Sequence, residues 1–291
     1  MSFELKIKEI ITDNYSGSAA LLDKLIKSIQ TYINYQEIDR DYLQDSLNSI
    51  TEHFPHLSVI NHFLQQFYNL LEDIQPEIGH NEQAGARIES FLSGYISEWK
   101  DNMGQAAERM TRLIKFQHKK ILLHSNSSSI HVLFEHLAMH NIFPTIYQTM
   151  SAPAFEGKIQ ANALSELGCK IRLIKEVAVK RFIHETDFAI TGAETIFNNG
   201  YTNKKGSLLI AHACHETSRP LYVICDSRKR SPIDFIARSG YGSGQEVPPI
   251  APFDKVTESN ATEYAPPDFI DNKNVHAYFF EDTWWDMHKK A

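Results

Sequence analysis

The stretch that decides the fold is Asp187-Phe-Ala-Ile-Thr-Gly-Ala-Glu194, which continues through Asn199-Gly-Tyr-Thr-Asn-Lys-Lys-Gly-Ser207 to Pro220-Leu-Tyr-Val-Ile-Cys225. It predicts an apolar strand, a loop rich in glycine and asparagine, a helix that begins at Gly206-Ser207, and a second strand. Strands that alternate with helices form parallel sheets, and ligands bind at the carboxyl ends of such strands. The stretch therefore places a carboxylate, Glu194, and several amide donors at a ligand-binding edge.

The rest of the chain extends this pattern. Apolar runs predict strands at 119–124, 143–149, 169–174, 188–191 and 221–225, with helices between them at 130–140, 157–167, 177–184 and 207–215. Upstream, apolar residues at spacings of three and four predict helices at 18–33, 39–54 and 57–74, and the run 83–116 fits one extended helix or two stacked ones. The aromatic segment 278–285 is a closing strand or an interface, and 239–252 is a loop. We predict an α/β fold with a helical N-terminal domain (1–116) and a Rossmann-like domain (117–291) that has a doubly wound, mostly parallel sheet.

Composition limits the class of function. The net charge is −7 and no basic run is present, which argues against direct nucleic-acid binding. The three cysteines, Cys169, Cys214 and Cys225, lie in or beside apolar segments without metal-type spacing, so we expect reduced, buried thiols and a cytoplasmic protein. We expect no signal peptide, because charged residues interleave with apolar ones at the N-terminus, and no membrane span, because no apolar run elsewhere is long enough to cross a bilayer.

The fourteen histidines raise the question of a metal. His136 and His140 lie four residues apart on a predicted helix, and His212 and His215 flank Cys214 on another. Zinc sites normally show further Cys or His ligands at defined spacing, and none follows either pair. We therefore predict no metal and no cofactor.

The run Ser125-Asn126-Ser127-Ser128-Ser129 lies between a predicted strand and a predicted helix. Free backbone N–H groups at a helix start bind phosphate or carboxylate, and the hydroxyls add donors. Serine and asparagine are also common helix caps, so capping alone would explain the run. The Gly-x-Gly-x-x-Gly pattern of dinucleotide-binding folds is absent here.

Glu194 is the carboxylate that would face the cleft if the strand ends at Thr191. It would serve as a general base or accept hydrogen bonds from the hydroxyls of a ligand. Asn203 and Lys204 add a polar and a cationic group beside it. The alternative is that Glu194 only caps a turn or pairs with Lys204.

Several of these residues resemble a known family. His124-Ser125-Asn-Ser, Pro153-Ala-Phe-Glu156-Gly157, Gly192-Ala-Glu194, Asn203-Lys204-x-Gly206-Ser207 and Pro220-x-Tyr222-Val223 are similar to segments of the alpha, beta and delta subunits of translation initiation factor 2B. Methylthioribose-1-phosphate and ribose-1,5-bisphosphate isomerases belong to the same family. The resemblance covers about 121 to 229, and it implies dimerisation through a Rossmann-like domain and a sugar-phosphate pocket at the strand ends.

The chain departs from the isomerases at the positions that carry their chemistry. Ser125 replaces their catalytic cysteine, Glu194 replaces their catalytic aspartate, and Met150-Ser-Ala-Pro153 replaces their Glu-x-Arg-Pro segment. A serine without an evident base cannot take the place of a thiol of low pKa. An added methylene also moves the carboxylate oxygens by about an ångström, which is costly in positioned catalysis.

We therefore predict a non-catalytic homodimer that binds a phosphorylated sugar or nucleotide-like ligand and has no membrane partner. The predicted ligand-binding residues are Ser125, Asn126, Ser127, Gly157, Glu194, Asn203 and Lys204. One alternative is an active sugar-phosphate isomerase, in which Glu194 transfers the proton and Ser125 occupies the cysteine position. Another is a structural or regulatory subunit of a larger assembly.

Overall fold

The structure is a computed structural model that describes residues 2–13, 16–54, 57–74, 81–152, 155–235 and 267–288. The predicted loop at 239–252 and Pro153 lie outside the described residues. Where the structure does describe the chain, the fold class predicted from the sequence is confirmed. A mostly helical N-terminal region precedes a mainly parallel sheet.

The helical region consists of α1 (Phe3–Ile11), α2 (Ser18–Tyr35), α3 (Arg40–His53), α4 (Ser58–Asp73) and α5 (Asn81–Leu113). Its apolar faces pack into one cluster that extends along the chain from Phe3 to Tyr95. α5 is a single helix of 33 residues, so the run 83–116 forms one extended helix rather than two stacked ones. Its later residues, including Met103 and Met110, pack in the core of the sheet instead. The division into domains at residue 116 stays a prediction.

The main sheet has seven strands in the order β10-β9-β7-β4-β1-β2-β3. The strands are β1 (Lys120–Leu123), β2 (Thr145–Thr149), β3 (Lys170–Ile174), β4 (Phe188–Thr191), β7 (Leu221–Ile224), β9 (Ala277–Phe279) and β10 (Trp284–Asp286). Neighbouring strands are parallel except for β9 and β10. All five predicted strands are present, and the order, with β4 and β1 at its centre, brings their carboxyl ends to one edge.

The helices that connect these strands are α6 (Ser128–Met139), α7 (Glu156–Glu166), α8 (Val179–Phe182) and α9 (Ser207–Glu216). The helix predicted at 177–184 is reduced to the short α8, which lies between two 3₁₀ turns. The aromatic segment 278–285 is part of the β9–β10 hairpin at the sheet edge, where the rings of Phe279 and Trp284 stack. Burial raises the pKa of the Cys169 thiol to about 11 and of the Cys214 thiol to about 12, and all three cysteines are unpaired.

A second sheet has three strands, two of which lie in the predicted polar loop. β5 (Thr195–Phe197) and β6 (Gly200–Asn203) form a hairpin, and β8 (Asp268–Asp271) pairs with β6. The close approach of β8 requires Gly200, because a Cβ atom there would lie 2.2 Å from the Ile270 carbonyl oxygen. The sequence did not indicate this sheet because its strands are only three or four residues long and one of them comes from a distant segment. None of the described helices combines the length and the apolar character that crossing a membrane requires.

Candidate ligand-binding site

The loop that follows β1 is held in one conformation by buried hydrogen bonds. Ser125 has a φ of 63°, which is unusual for a residue with a side chain. Its amide donates to Ser151 Oγ at 2.8 Å, and its carbonyl oxygen accepts from Gln148 Nε2 at 3.1 Å. The Ser127 amide donates to Gln160 Oε1 at 2.9 Å. Side chains of β2 and α7 thus hold this loop in place by hydrogen bonds, while Asn126 is exposed.

A carboxylate lies beside the Ser125 hydroxyl. Ser125 Oγ donates to Glu156 Oε1 at 3.2 Å, and Lys204 Nζ lies 3.3 Å from the same oxygen. Glu156, at the start of α7, is thus a hydrogen-bond acceptor beside Ser125 that the sequence analysis did not identify. The expected alternative pairing of Lys204 with Glu194 is not what the structure shows, since the ammonium group of Lys204 faces Glu156.

Glu194 follows the end of β4, as predicted, and its amide donates to the Thr202 carbonyl at 2.8 Å. Its Oε2 atom is buried and has no hydrogen-bond partner in the part of the chain that the structure describes. The preceding Gly192 lets this segment approach the β1 loop, because a Cβ atom there would lie 2.5 Å from Ser127 Oγ. Among the described residues, Glu194 Oε2 therefore has no donor, and it lies at the carboxyl ends of β1 and β4.

A cavity of about 310 Å³ lies at this edge. Its lining includes five of the predicted ligand-binding residues: Ser125, Asn126, Ser127, Glu194 and Asn203. The remaining lining residues are Gly17, Ser18, Ala19, Ala20, His124, Ser128, His131, Val132, Glu135, Gly192, Ala193 and Lys229. The amino ends of α2 and α6 thus share one cavity, and helix amino ends favour anions.

The other predicted residues lie nearby with different contacts. Lys204 lines a smaller cavity of about 50 Å³ that adjoins the first. Asn203 is buried, and its Nδ2 donates to Ser207 Oγ at 2.9 Å. Gly157 packs against the end of β2, where a Cβ atom would lie 2.0 Å from the Thr149 carbonyl oxygen. It lines neither cavity, and its contact with a ligand stays a prediction.

The structure adds a buried lysine that sequence reasoning missed. Lys229 is 7% exposed, lines the larger cavity and donates to the Ala193 carbonyl oxygen. Its loop is fixed because Arg228 Nε donates to Asp226 at 2.8 Å and the Arg228 guanidinium lies 4.3 Å from the Trp99 ring of α5. Burial alone would raise the pKa of Asp226, but its bonds to Arg228 outweigh burial and hold that pKa below its ordinary value. A lysine shortly after a strand end was the signal available in the sequence.

His124 is buried at the base of the cavity. Its Nε2 lies 2.9 Å from the Lys205 carbonyl oxygen, so Nε2 carries the proton and Nδ1 accepts from Thr149 Oγ1 at 2.7 Å. Burial lowers the pKa of His124, and the ring is neutral near neutral pH. Gly206, with a φ of 100°, is required beside it, because a Cβ atom would lie 2.7 Å from the ring.

Within the described residues, no group of three or more His, Cys, Asp or Glu side chains is arranged to hold a metal ion. The rings of His136 and His140 lie 4.5 Å apart on α6, and His140 Nδ1 is 2.8 Å from the His136 carbonyl oxygen. The absence of a metal and of a cofactor stays a prediction.

Known proteins share this architecture. The crystal structure of a Pyrococcus horikoshii translation initiation factor eIF-2B superposes with a TM-score of 0.70 at 21% identity and covers 97% of this chain and 96% of that chain. The structure of 5-methylthioribose 1-phosphate isomerase from the same organism gives a TM-score of 0.72 at 15% identity, covering 98% of this chain and 84% of that chain. These two likenesses establish a shared fold.

Sequence similarity is consistent with this fold. A protein named putative translation initiation factor eIF-2B subunit 2-like, from Pyrococcus horikoshii, is 26% identical over 227 residues, which are 78% of this chain and 78% of the relative. The ribose 1,5-bisphosphate isomerase of Archaeoglobus fulgidus is 33% identical over 113 residues, which are 38% of this chain and 36% of the relative. The model of the initiation factor 2 subunit family, IF-2B, matches residues 14–271. This chain therefore belongs to the IF-2B family, which has relatives named as eIF2B-like subunits and as sugar-phosphate isomerases.

Proposed function

We propose that the chain binds a phosphorylated sugar or nucleotide-like ligand in the larger cavity and does not isomerise it. The observation that carries this proposal is the polarity of the cavity. Lys229 and the amino ends of α2 and α6 lie on its walls, and Glu194 Oε2 lacks a partner among the described residues. A phosphate group would accept hydrogen bonds from the helix amides and from Lys229, and sugar hydroxyls would donate to Glu194.

The size of the cavity and the names of the relatives support a ligand of this class. A cavity of about 310 Å³ is at the small end of the range for ligand pockets, which suits a monosaccharide phosphate. Two of the similar proteins are named for phosphorylated ribose compounds, ribose 1,5-bisphosphate and 5-methylthioribose 1-phosphate. We infer that this chain shares the ligand class.

The contacts of Ser125 argue against isomerisation. Its hydroxyl donates to Glu156, and that carboxylate is already engaged by Lys204. A carboxylate is too weak a base to ionise a serine hydroxyl, whereas a cysteine thiol ionises near pH 8.5 without help. A ligand in the cavity would therefore lie beside the Ser125 hydroxyl group, which is much less acidic than the thiol of the isomerases.

Thermal unfolding with added ligands tests this proposal. The compounds to compare are inorganic phosphate, ribose 1,5-bisphosphate, 5-methylthioribose 1-phosphate and nucleoside monophosphates. We expect at least one of them to raise the Tm of the protein in a concentration-dependent way. NMR spectra of the stabilising compound, recorded over hours with the protein present, would then show no conversion. If none of these compounds raises Tm, the binding proposal fails, and conversion would contradict the non-catalytic part.

A second candidate function is sugar-phosphate isomerisation. It is favoured by the free Glu194 Oε2 and by the Glu156 carboxylate next to Ser125, which together place two carboxylates near the cavity. If NMR detects turnover, Glu194→Gln should abolish it because the amide cannot transfer the proton.

A third candidate is a regulatory subunit, since one similar structure is a tetrameric eIF2B-beta2-delta2 complex.

We propose that this chain forms a homodimer, which native mass spectrometry would detect as twice the mass of the chain. A monomer at micromolar concentration would contradict that assembly. The measurement is independent of ligand binding.

A further inference from the structure

The smaller cavity, of about 50 Å³, differs in chemistry from the larger one. It lies where the start of α2 meets the loop after β1, and it shares Gly17, Ser18, Ser125, Asn126 and Glu194 with the larger cavity. Three carboxylates line it, those of Asp13, Glu156 and Glu194, together with one cationic group, Lys204. The two cavities therefore share one wall, and the smaller cavity forms an acidic end of the site.

Two carboxylate oxygens at this acidic end lack hydrogen-bond donors. Glu156 Oε2 and Glu194 Oε2 are both buried, and neither has a partner in the described ranges of the chain. The Glu156 side chain is only 6% exposed, so bulk water does not replace the missing donor at Oε2. Buried carboxylate oxygens are normally satisfied, and leaving them without donors is costly. A ligand that supplies donors at this place would remove that cost.

The three carboxylates of the acidic end differ in their ion pairs. Asp13 pairs with Lys24 and Glu156 pairs with Lys204 at 3.3 Å, whereas no described cation forms an ion pair with Glu194. Lys229 donates to the Ala193 carbonyl oxygen rather than to a carboxylate. Among the described residues, the Glu194 carboxylate therefore has neither an ion pair nor, at Oε2, a hydrogen-bond donor. A hydroxyl group would bring one donor and no charge, but an ammonium group brings three donors and one positive charge.

We propose that the ligand is an aminated sugar phosphate, whose phosphate lies in the larger cavity and whose ammonium group lies in the smaller one between Glu156 and Glu194. This proposal rests on the function proposed above and names the ligand class of the same site. A volume of about 50 Å³ is sufficient for one small polar group. The positive charge also offsets part of the repulsion between the phosphate and the carboxylates of the site.

Isothermal titration of the full chain with a matched pair of compounds tests the proposal. Glucosamine 6-phosphate carries an amino group where glucose 6-phosphate carries the 2-hydroxyl group, and N-acetylglucosamine 6-phosphate removes the charge and adds bulk. We expect the amino compound to bind at least about tenfold more tightly than the other two, as a charge-assisted hydrogen bond requires. Inorganic phosphate serves as the probe of the phosphate end alone.

Two variants test whether Glu194 and Glu156 cause the preference for the amino compound. Glu194→Gln and Glu156→Gln should each reduce the ratio of the two affinities to near one, while glucose 6-phosphate still binds. Glu194→Gln is the variant that should keep the fold, because Oε2 has no protein partner to lose among the described residues. Glu166→Gln, at the exposed far end of α7, is the matched control and should keep the full preference.

The outcomes separate the two proposals. Equal affinity for glucosamine 6-phosphate and glucose 6-phosphate overturns the amino-group proposal and leaves phosphate binding intact. A preference that survives in Glu194→Gln also overturns it. If no phosphorylated compound binds, inorganic phosphate included, both proposals fail together.

Discussion

Polar side chains at the amino ends of the parallel strands are more exposed than those at the carboxyl ends. At the amino ends, Lys119 donates to Asp187 at 2.9 Å, and both side chains are more than a third exposed, at 38% and 35%. At the carboxyl ends, Ser125, Glu156 and Asn203 are buried and contact neighbouring polar groups. Water can satisfy the first group of residues, but the second group depends on protein partners or on a ligand. Buried polar atoms that lack a donor at the carboxyl ends therefore cost stability unless a ligand supplies one.

The largest expected effect is on folding at the carboxyl ends. Gly157→Ala should lower the free energy of unfolding by about 3 kcal/mol, because its Cβ atom would lie 2.0 Å from the Thr149 carbonyl oxygen and backbone must move. Urea denaturation measures the change. The matched control is Gly94→Ala on an exposed face of α5, where nothing lies within 4 Å, and it should stabilise the protein by about 0.5–1 kcal/mol. Similar values for both variants would contradict the comparison.

The next largest effect is on binding. Lys229→Met should raise the Kd for inorganic phosphate by about tenfold or more, because a buried ammonium group that lines the cavity is removed. Isothermal titration measures the Kd. Lys119→Met removes the same charge from the amino ends and should leave the Kd unchanged. An equal loss in both variants would indicate a general effect of net charge instead of a local contact.

A smaller effect concerns pH. Burial lowers the pKa of His124 from 6.5, so below pH 6.5 the unfolded chain takes up a proton that the folded protein does not. This contribution to stability is present above pH 6.5 and is lost as the pH falls toward the folded pKa, with a slope of about 1.4 kcal/mol per pH unit. Urea denaturation from pH 7 to pH 5 should show a shallower decline for His124→Gln. His212→Gln, on the exposed face of α9, is the control and should decline like the unmodified protein. If His124→Gln shows the same decline as the unmodified protein, His124 does not have this role.

The smallest effect is expected at the amino ends. Lys119→Met should change the free energy of unfolding by about 0.5 kcal/mol, since its ion pair with Asp187 is partly exposed and screened. The change should shrink further in 1 M salt, where screening is stronger. A loss of several kcal/mol would show that the two ends are not as different as the burial of their side chains indicates.

The sequence predicted what depends on local pattern. The strands before Ser125 and Glu194 are marked by short apolar runs, and the start of α9 by Gly206. These signals sufficed to place the carboxyl ends of β1 and β4 and the polar loops that follow them. Local pattern also predicted that the cysteines are buried, because all three lie in or beside apolar segments.

The rest depends on contacts between distant segments. Glu156 contacts Ser125 from 31 residues away in the chain, and Gly17 and Ser18 reach the cavity from the helical region. β6 pairs with β8 across the 236–266 segment, and no pattern near β6 indicates such a partner. Periodicity identifies elements but not which side chains of two elements meet. The unpartnered oxygens of Glu156 and Glu194 belong to this second class of feature.

The continuous helix α5 has a consequence for how the protein unfolds. Tyr95 packs in the helical cluster and Met103 in the core of the sheet, so one 33-residue helix is shared by both. If either half melted, α5 would keep only part of its packing, and an isolated helical segment is marginal in water. We therefore expect heating to give a single cooperative transition. A compound that binds beside the sheet would then protect amide hydrogens of α1 to α4 against exchange, although it touches few of them.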